Sequence, residues 1–425
     1  MRITRRPAFT RGLLPVTLLV LLGACAGGEA PSSQPLPRGA GPEDLTVSLS
    51  RPITDSPGQT VEFTDPAVWI STELQGGRGA DVRREGDSVY VVGLRPENAP
   101  INNSPWYAFK VWSATPRTID VQLRYRDGDH RYWPKVRRSD DPWTPLDSAA
   151  VRVAEDEMQA TIRLRVGPDT LWVAGQEMLT SSFFRRWTDS LAALPGASQR
   201  QFATSPRRRP LRILEFGDPA SPRHVVLISR QHPPEVTGTF ALLGFVGELM
   251  GDTELARRFR QQFRVHVVPL VNPDGVDLGH WRHNTGGVDL NRDWVAFHQP
   301  ETRAVRDEVR RLIPQPGEDL WFAADFHSTF RDVFYTLERE FETEPADFAD
   351  RWLAHIEASL PHYDVNDAPS DLGTPMSRNW FYREFGAPAL IYEVGDNTPR
   401  DLIREVAETA ARGTMEILLE EAERR

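Results

Sequence analysis

The chain has 425 residues, 40% of them hydrophobic and 26% charged, with 12 Trp and 20 Phe. Those proportions belong to folded globular domains rather than to a disordered or fibrous chain, and the length exceeds one ordinary domain. A net charge of −10 excludes a nucleic-acid footprint, and the single cysteine excludes a disulfide framework or a Cys-rich zinc site.

Residues 1–24 carry Arg2, Arg5, Arg6 and Arg11 and no acidic residue, followed by an apolar run over 13–22. Ten apolar residues are too few to cross ~30 Å of hydrocarbon as a helix, and the pattern predicts a secretory signal peptide. The boundary Leu22-Gly23-Ala24-Cys25 resembles a bacterial lipoprotein signal, in which the lipidated cysteine becomes the first residue of the mature chain. The expectation is a signal over 1–24, a lipid anchor on Cys25 and a Gly/Pro/Ser-rich tether over 25–45. Ala26 follows the cysteine, and by the same resemblance the absence of Asp there implies an outer-membrane location facing the periplasm.

Over 46–200 short β-type runs are separated by turns. The segments 88–92 and 106–112 are β-type runs, and 119–125 and 160–166 alternate with period two, as Ile119, Val121, Leu123 and Tyr125 show. Regular short strands of this kind predict an antiparallel β-sandwich.

After the basic, proline-containing stretch 205–210 the pattern changes. Strands are predicted at 225–228, 263–271, 320–326 and 389–394, and helices at 235–250, 301–312 and 401–421. Strands alternating with helices predict an α/β domain over 205–425, with a mixed, mostly parallel sheet flanked by helices.

The chemistry-bearing residues fall at predicted strand ends. His232 and Glu235 lie three apart in the loop after strand 225–228, and His327 ends strand 320–326. Two imidazoles and a carboxylate form a three-ligand zinc set that leaves a fourth position for water. Glu393 ends the apolar strand 389–394, where a carboxylate is costly unless it has a partner or a task.

Between these ligands stand Asn272-Pro273-Asp274-Gly275 and Gly287-Val288-Asp289-Leu290-Asn291-Arg292. Together with the H-x-x-E, the strand-end His and the strand-end Glu, they occur in the order of the zinc carboxypeptidase family, which the segment 205–425 resembles. The sandwich half is similar to the N-terminal domain of the cytosolic-carboxypeptidase-like branch through residues 103–109 (NSPWYAF) and 131–135 (RYWPK). The resemblance implies one Zn²⁺ per chain, held by His232, Glu235 and His327. By the same resemblance, Asp289 is expected to orient a ligand imidazole, Asn291 and Arg292 to bind the substrate's terminal carboxylate, Arg282 to stabilise the oxyanion and Glu393 to act as the general base. The resemblance also implies that Arg378, two residues before Trp380, lies on the floor of the side-chain pocket and favours acidic terminal residues.

Two departures from the family pattern stand out. Pro234 occupies the place where the cytosolic-like branch usually has Gly, and the segment 364–379 contains no tyrosine to cap a substrate. The expected function is a lipid-anchored metallocarboxypeptidase acting on peptides or cell-wall peptides. The competing readings are a zinc-dependent deacylase or amidase of acyl amino acids and a non-catalytic peptide- or peptidoglycan-binding lipoprotein.

Overall fold

The computed structural model describes residues 47–425; the expected signal peptide, Cys25 and the tether lie outside the described residues. Among the described residues no helix is long and apolar enough to cross a membrane.

The period-two pattern of the N-terminal half builds two sheets. One has six strands in the order Thr60–Phe63, Val68–Ser71, Ala108–Ser113, Leu171–Ala174, Lys135–Arg138 and Thr144–Pro145. The other orders Asp81–Arg84, Val89–Leu94, Arg117–Tyr125, Gln159–Val166 and Val151–Val153. Inward residues of both, including Val68, Ile70, Tyr90, Val92, Phe109, Val111, Val121, Leu123, Ile162 and Val173, share one core. The sandwich is antiparallel with one exception: Val89–Leu94 runs parallel to Arg117–Tyr125. The chain crosses to the facing sheet for Ala108–Ser113 between them, which supplies the crossover a parallel pair needs.

The second half holds a seven-stranded sheet in the order Ala197–Thr204, Pro210–Gly217, Arg264–Val268, Arg223–Ser229, Asp319–Thr329, Ala389–Gly395, Val333–Tyr335. The four strands from Arg264–Val268 to Ala389–Gly395 are mutually parallel, and the flanking pairs are antiparallel. Both faces are covered. Val225 and Leu227 join a core with helices Val236–Leu249, Phe348–Ser359 and Arg400–Arg424. The alternate residues Val226 and Ile228 face helices Pro300–Leu312 and Ser377–Phe385. Burial on both faces explains why these strands read as continuous apolar runs.

The junction expected at 200–205 needs correction. The segment 205–209 is the turn of a hairpin joining Ala197–Thr204 to Pro210–Gly217, so the α/β sheet begins before it. Ala197–Thr204 is an edge strand with no fully buried residue, and its polar sequence carries no apolar alternation to mark it.

Candidate metal centre

His232 and Glu235 lie in the loop between strand Arg223–Ser229 and helix Val236–Leu249. His327 is on the adjacent parallel strand Asp319–Thr329, and Glu393 on the next, Ala389–Gly395. The group sits at the carboxyl ends of adjacent parallel strands, where α/β sheets place their ligands. Two local features bring it together. Arg230 adopts a left-handed conformation (φ 57°) that turns the chain sharply off the strand; such a residue costs about 1–2 kcal/mol unless its surroundings hold it. Its buried guanidinium donates to Pro233 O at 2.6 Å and closes that turn. Gly238, in the first turn of the helix, lets the helix lie on the His327 main chain: a Cβ there would stand 2.2 Å from His327 O.

His232 Nδ1 lies 2.8 Å from Glu235 Oε1, His327 Nδ1 lies 2.7 Å from Glu235 Oε2, and the two Nδ1 atoms are 3.2 Å apart. All three side chains are buried, and their ligand atoms lie within 4.8 Å of one another, close enough to hold one metal ion. The outer nitrogens are tied elsewhere. His232 Nε2 donates to Asp289 Oδ1 at 2.7 Å, which leaves a lone pair on Nδ1 facing the cluster. His327 Nε2 lies 2.8 Å from Asp325 Oδ2, at ion-pair distance but bent away from hydrogen-bond alignment. Burial opposes charge throughout. Even so, His232 and His327 hold the Glu235 carboxyl well below its usual range, and Asp325 and Glu235 raise the His327 imidazole well above its own. The cluster therefore demands positive charge, as a proton or as a cation that displaces it. Two nitrogens and one carboxylate fit zinc with one coordination position left open.

Asp289 is the hub beside this cluster. Its Oδ1 accepts from His232 Nε2 and from the Asn291 main-chain N–H at 2.8 Å, and its Oδ2 accepts from Arg282 Nε at 2.8 Å. Burial opposes its charge, but Arg282 and His232 hold its carboxyl well below the ordinary range. Arg282 Nη1 stands 3.7 Å from Glu235 Oε1. Asn291 Oδ1 accepts the Ser377 N–H at 3.0 Å, which fixes the amide, and Arg292 donates to Asn291 O at 2.8 Å. Glu393 is the register partner of His327 across the parallel pair, so both side chains project from the same face. Its Oε2 is shielded from solvent and has no hydrogen-bond partner among the described residues. Burial first, and then the Glu235 carboxylate, push its pKa up to about 7.

A family model for zinc carboxypeptidase (peptidase M14) matches residues 184–410, more than half of the sequence. The chain belongs to the zinc carboxypeptidase family. That membership places it among the peptidases, a class of hydrolase. An uncharacterized protein of Zymomonas mobilis is 25% identical over 270 residues, covering 61% of this chain and 67% of its own length. Mouse cytosolic carboxypeptidase 3 is 33% identical over 113 residues, 26% of this chain but only 11% of that protein, so the chain spans a small part of this relative. Among solved structures, a metallo-carboxypeptidase from Burkholderia cenocepacia superposes with a TM-score of 0.67 at 20% identity, covering 82% of this chain and 98% of its own. One from Pseudomonas aeruginosa, in complex with (2-guanidinoethylmercapto)succinic acid, gives 0.65 at 19% identity, covering 83% and 99%. These likenesses establish the fold.

Within this zinc carboxypeptidase the structure brings together His232, Glu235, His327, Asp289, Arg282, Asn291, Arg292 and Glu393. Arg378 is different, and its expected place in a substrate pocket needs correction. Only 1% of its surface is exposed. Its guanidinium donates to Thr336 O, Ser370 O, Asp371 O and Asn379 Oδ1. Three of those acceptors belong to loops around helix Ser377–Phe385 and the fourth, Asn379, to the helix itself, so the guanidinium braces this region from inside and has no free face toward a substrate.

Sequence reasoning missed several residues at the site. Asp325 stands two residues before His327 and so on the same strand face, a signal that period two could have given. Gln231 links Asp325 to Trp294, donating to Asp325 Oδ2 and accepting from Trp294 Nε1 at 2.9 Å. Tyr335, on the edge strand beside Ala389–Gly395, is half-buried; burial first and then the Glu393 charge raise its phenol pKa. It places a tyrosine near Glu393, where 364–379 has none.

Proposed function

We propose that this chain is a zinc-dependent metallocarboxypeptidase that hydrolyses the C-terminal amide bond of peptides. The observation that carries the reading is the convergence of three potential metal-ligand side chains with Glu393, whose Oε2 has no hydrogen-bond partner among the described residues and which lies on the strand next to His327.

His232, Glu235 and His327 would hold the zinc, which when bound would supply Lewis acidity and lower the pKa of water to about 7. Glu393 takes a proton from the attacking water and delivers it to the leaving amine. A carboxylate near neutral pKa suits both halves of that transfer. Arg282, anchored through Nε to Asp289, presents its Nη end to the oxygen on which negative charge develops. Arg292 and the Asn291 amide hold the terminal carboxylate, the guanidinium fork matching its plane. Asp289 joins these roles, since one carboxylate orients a ligand imidazole, the oxyanion arginine and the Asn291 main chain. A preference for acidic side chains has lost its carrier in Arg378, and the proposal retains recognition of the terminal carboxylate alone.

The N-terminal sequence supports a place for the enzyme: a lipid anchor at Cys25 holding it at the cell envelope, with envelope peptides, including cell-wall stem peptides, as substrates.

The test is hydrolysis of blocked dipeptides by zinc-loaded protein, compared with their C-terminal amides, with muropeptides and with N-acyl amino acids. Release of the terminal residue from free-carboxylate peptides, with the amides inert, supports the reading. Turnover of acyl amino acids alone would assign a deacylase instead.

A further inference from the structure

Arg282 is held from outside its own domain. Glu97 follows strand Val89–Leu94 of the sandwich and is 0% exposed. Its Oε2 accepts the Trp281 N–H at 2.7 Å, and its Oε1 accepts the N–H groups of Arg282 and His283 at 3.0 and 2.6 Å. Three successive main-chain donors converging on one anion form a concave anion-binding nest, here filled by a carboxylate from the chain itself. Burial opposes that charge, but His280, His283 and Arg78 hold the carboxyl below its ordinary range, so the bonds are charge-assisted.

The residues on either side of Arg282 are fixed to the sandwich as well. Trp281 is fully buried within the sandwich core, and its Nε1 donates to Trp106 O at 3.1 Å. His283 Nδ1 lies 2.6 Å from Asn98 Oδ1, and Asn98 Nδ2 donates to Gly287 O at 3.0 Å. Between these two anchors only the Arg282 side chain returns to the metal centre, to Asp289 and Glu235. The loop's backbone thus belongs energetically to one domain and its functional side chain to the other.

We propose that Glu97 is a positioning residue for the hydrolytic reaction: by gathering the main chain of 281–283 it sets where the Arg282 guanidinium stands, and the β-sandwich is thereby part of the catalytic apparatus. The proposal rests on the oxyanion role given to Arg282 above. A misplaced donor forfeits stabilisation that exists only in the transition state, so the loss appears in kcat rather than in KM.

The experiment is a double-mutant cycle on the zinc-loaded full chain with a blocked dipeptide substrate. Kinetics and zinc content are measured for wild type, Glu97→Gln, Arg282→Ala and the double variant. Gln keeps the shape but turns an NH₂ toward donors. Glu97→Gln is expected to lower kcat about 10–100-fold, below the ~10²–10³-fold cost of removing an oxyanion donor outright. KM should stay within about 3-fold and zinc content should not change. In the Arg282→Ala background the same change should cost less than about 2-fold, because the residue it positions is gone. An equal loss in both backgrounds, or unchanged kcat in Glu97→Gln, overturns the proposal. If Glu97→Gln does not fold, Asn98→Ala loosens the same loop by fewer bonds. Its smaller kcat loss must likewise vanish in the Arg282→Ala background, and persistence there overturns the proposal. Wild-type kcat in Arg282→Ala would instead remove the oxyanion role of Arg282, a separate failure read from a different variant.

Discussion

Arg131 of the sandwich and Asp396, in the turn after the Glu393 strand, form a buried ion pair, with Nε 2.7 Å from Oδ2. The second arm of the guanidinium reaches Oδ1 at 3.3 Å, and its plane lies over the exposed Phe330 ring at 4.2 Å. Gln176 adds a bond to Asp396 O at 2.9 Å. This corner locks the strand carrying the candidate base to the sandwich. Arg131→Leu leaves Asp396 buried without its cation, and the expected cost is about 3–5 kcal/mol. Chemical denaturation measures it; a loss below about 1 kcal/mol would show that the pair is replaced by water.

His327→Ala removes one of two nitrogen ligands and is expected to leave the protein folded but without stoichiometric zinc and without hydrolysis. Elemental analysis of dialysed protein, alongside circular dichroism, is the measurement. Zinc retained at one per chain would contradict the ligand assignment. Treatment of wild type with a chelator should abolish activity reversibly, with zinc restoring it.

Glu393→Gln preserves volume and removes the proton acceptor. Zinc content should hold and substrate should still bind, while turnover falls by roughly 10²–10⁴. Steady-state kinetics decide it, and turnover near that of wild type would assign the proton transfer to another group.

Arg378→Ala is expected to act on stability rather than specificity. It removes both guanidinium donors to the buried Asn379 Oδ1, while Thr336 O and Asp371 O each keep another donor, and an orphaned buried acceptor costs about 1–3 kcal/mol. Denaturation should show a loss of that order or more. The ratio of kcat/KM for substrates ending in Glu, Leu and Lys should stay as in wild type; a selective loss on Glu would return Arg378 to the substrate pocket.

Cys25→Ser tests the anchor. Wild type should fractionate with membranes and label with a fatty-acid probe, and the variant should do neither. An unlabelled wild type in the soluble fraction would end the lipoprotein reading.

The sequence by itself determined the two-part architecture, the α/β character of the second half and the residues of the metal centre. Those signals are local or short in range. Val225 to Ile228 face both ways in a covered sheet, so they must all be apolar. His232 and Glu235 share one loop, and His327 and Glu393 each end an apolar run where a polar group needs a reason. Only the tertiary structure decided the rest, because it depends on which distant groups are brought into contact. The sheet order sets His327 beside Glu393, and the sandwich delivers Glu97 and Arg131 to loops of the other domain. The polar edge strand Ala197–Thr204 carries no strand signal in the sequence because pairing on one side requires no apolar alternation. Arg378 looks like a pocket residue in sequence, yet its guanidinium is consumed by main-chain carbonyls. A charged side chain's role follows from the acceptors that surround it, and those are supplied by folding.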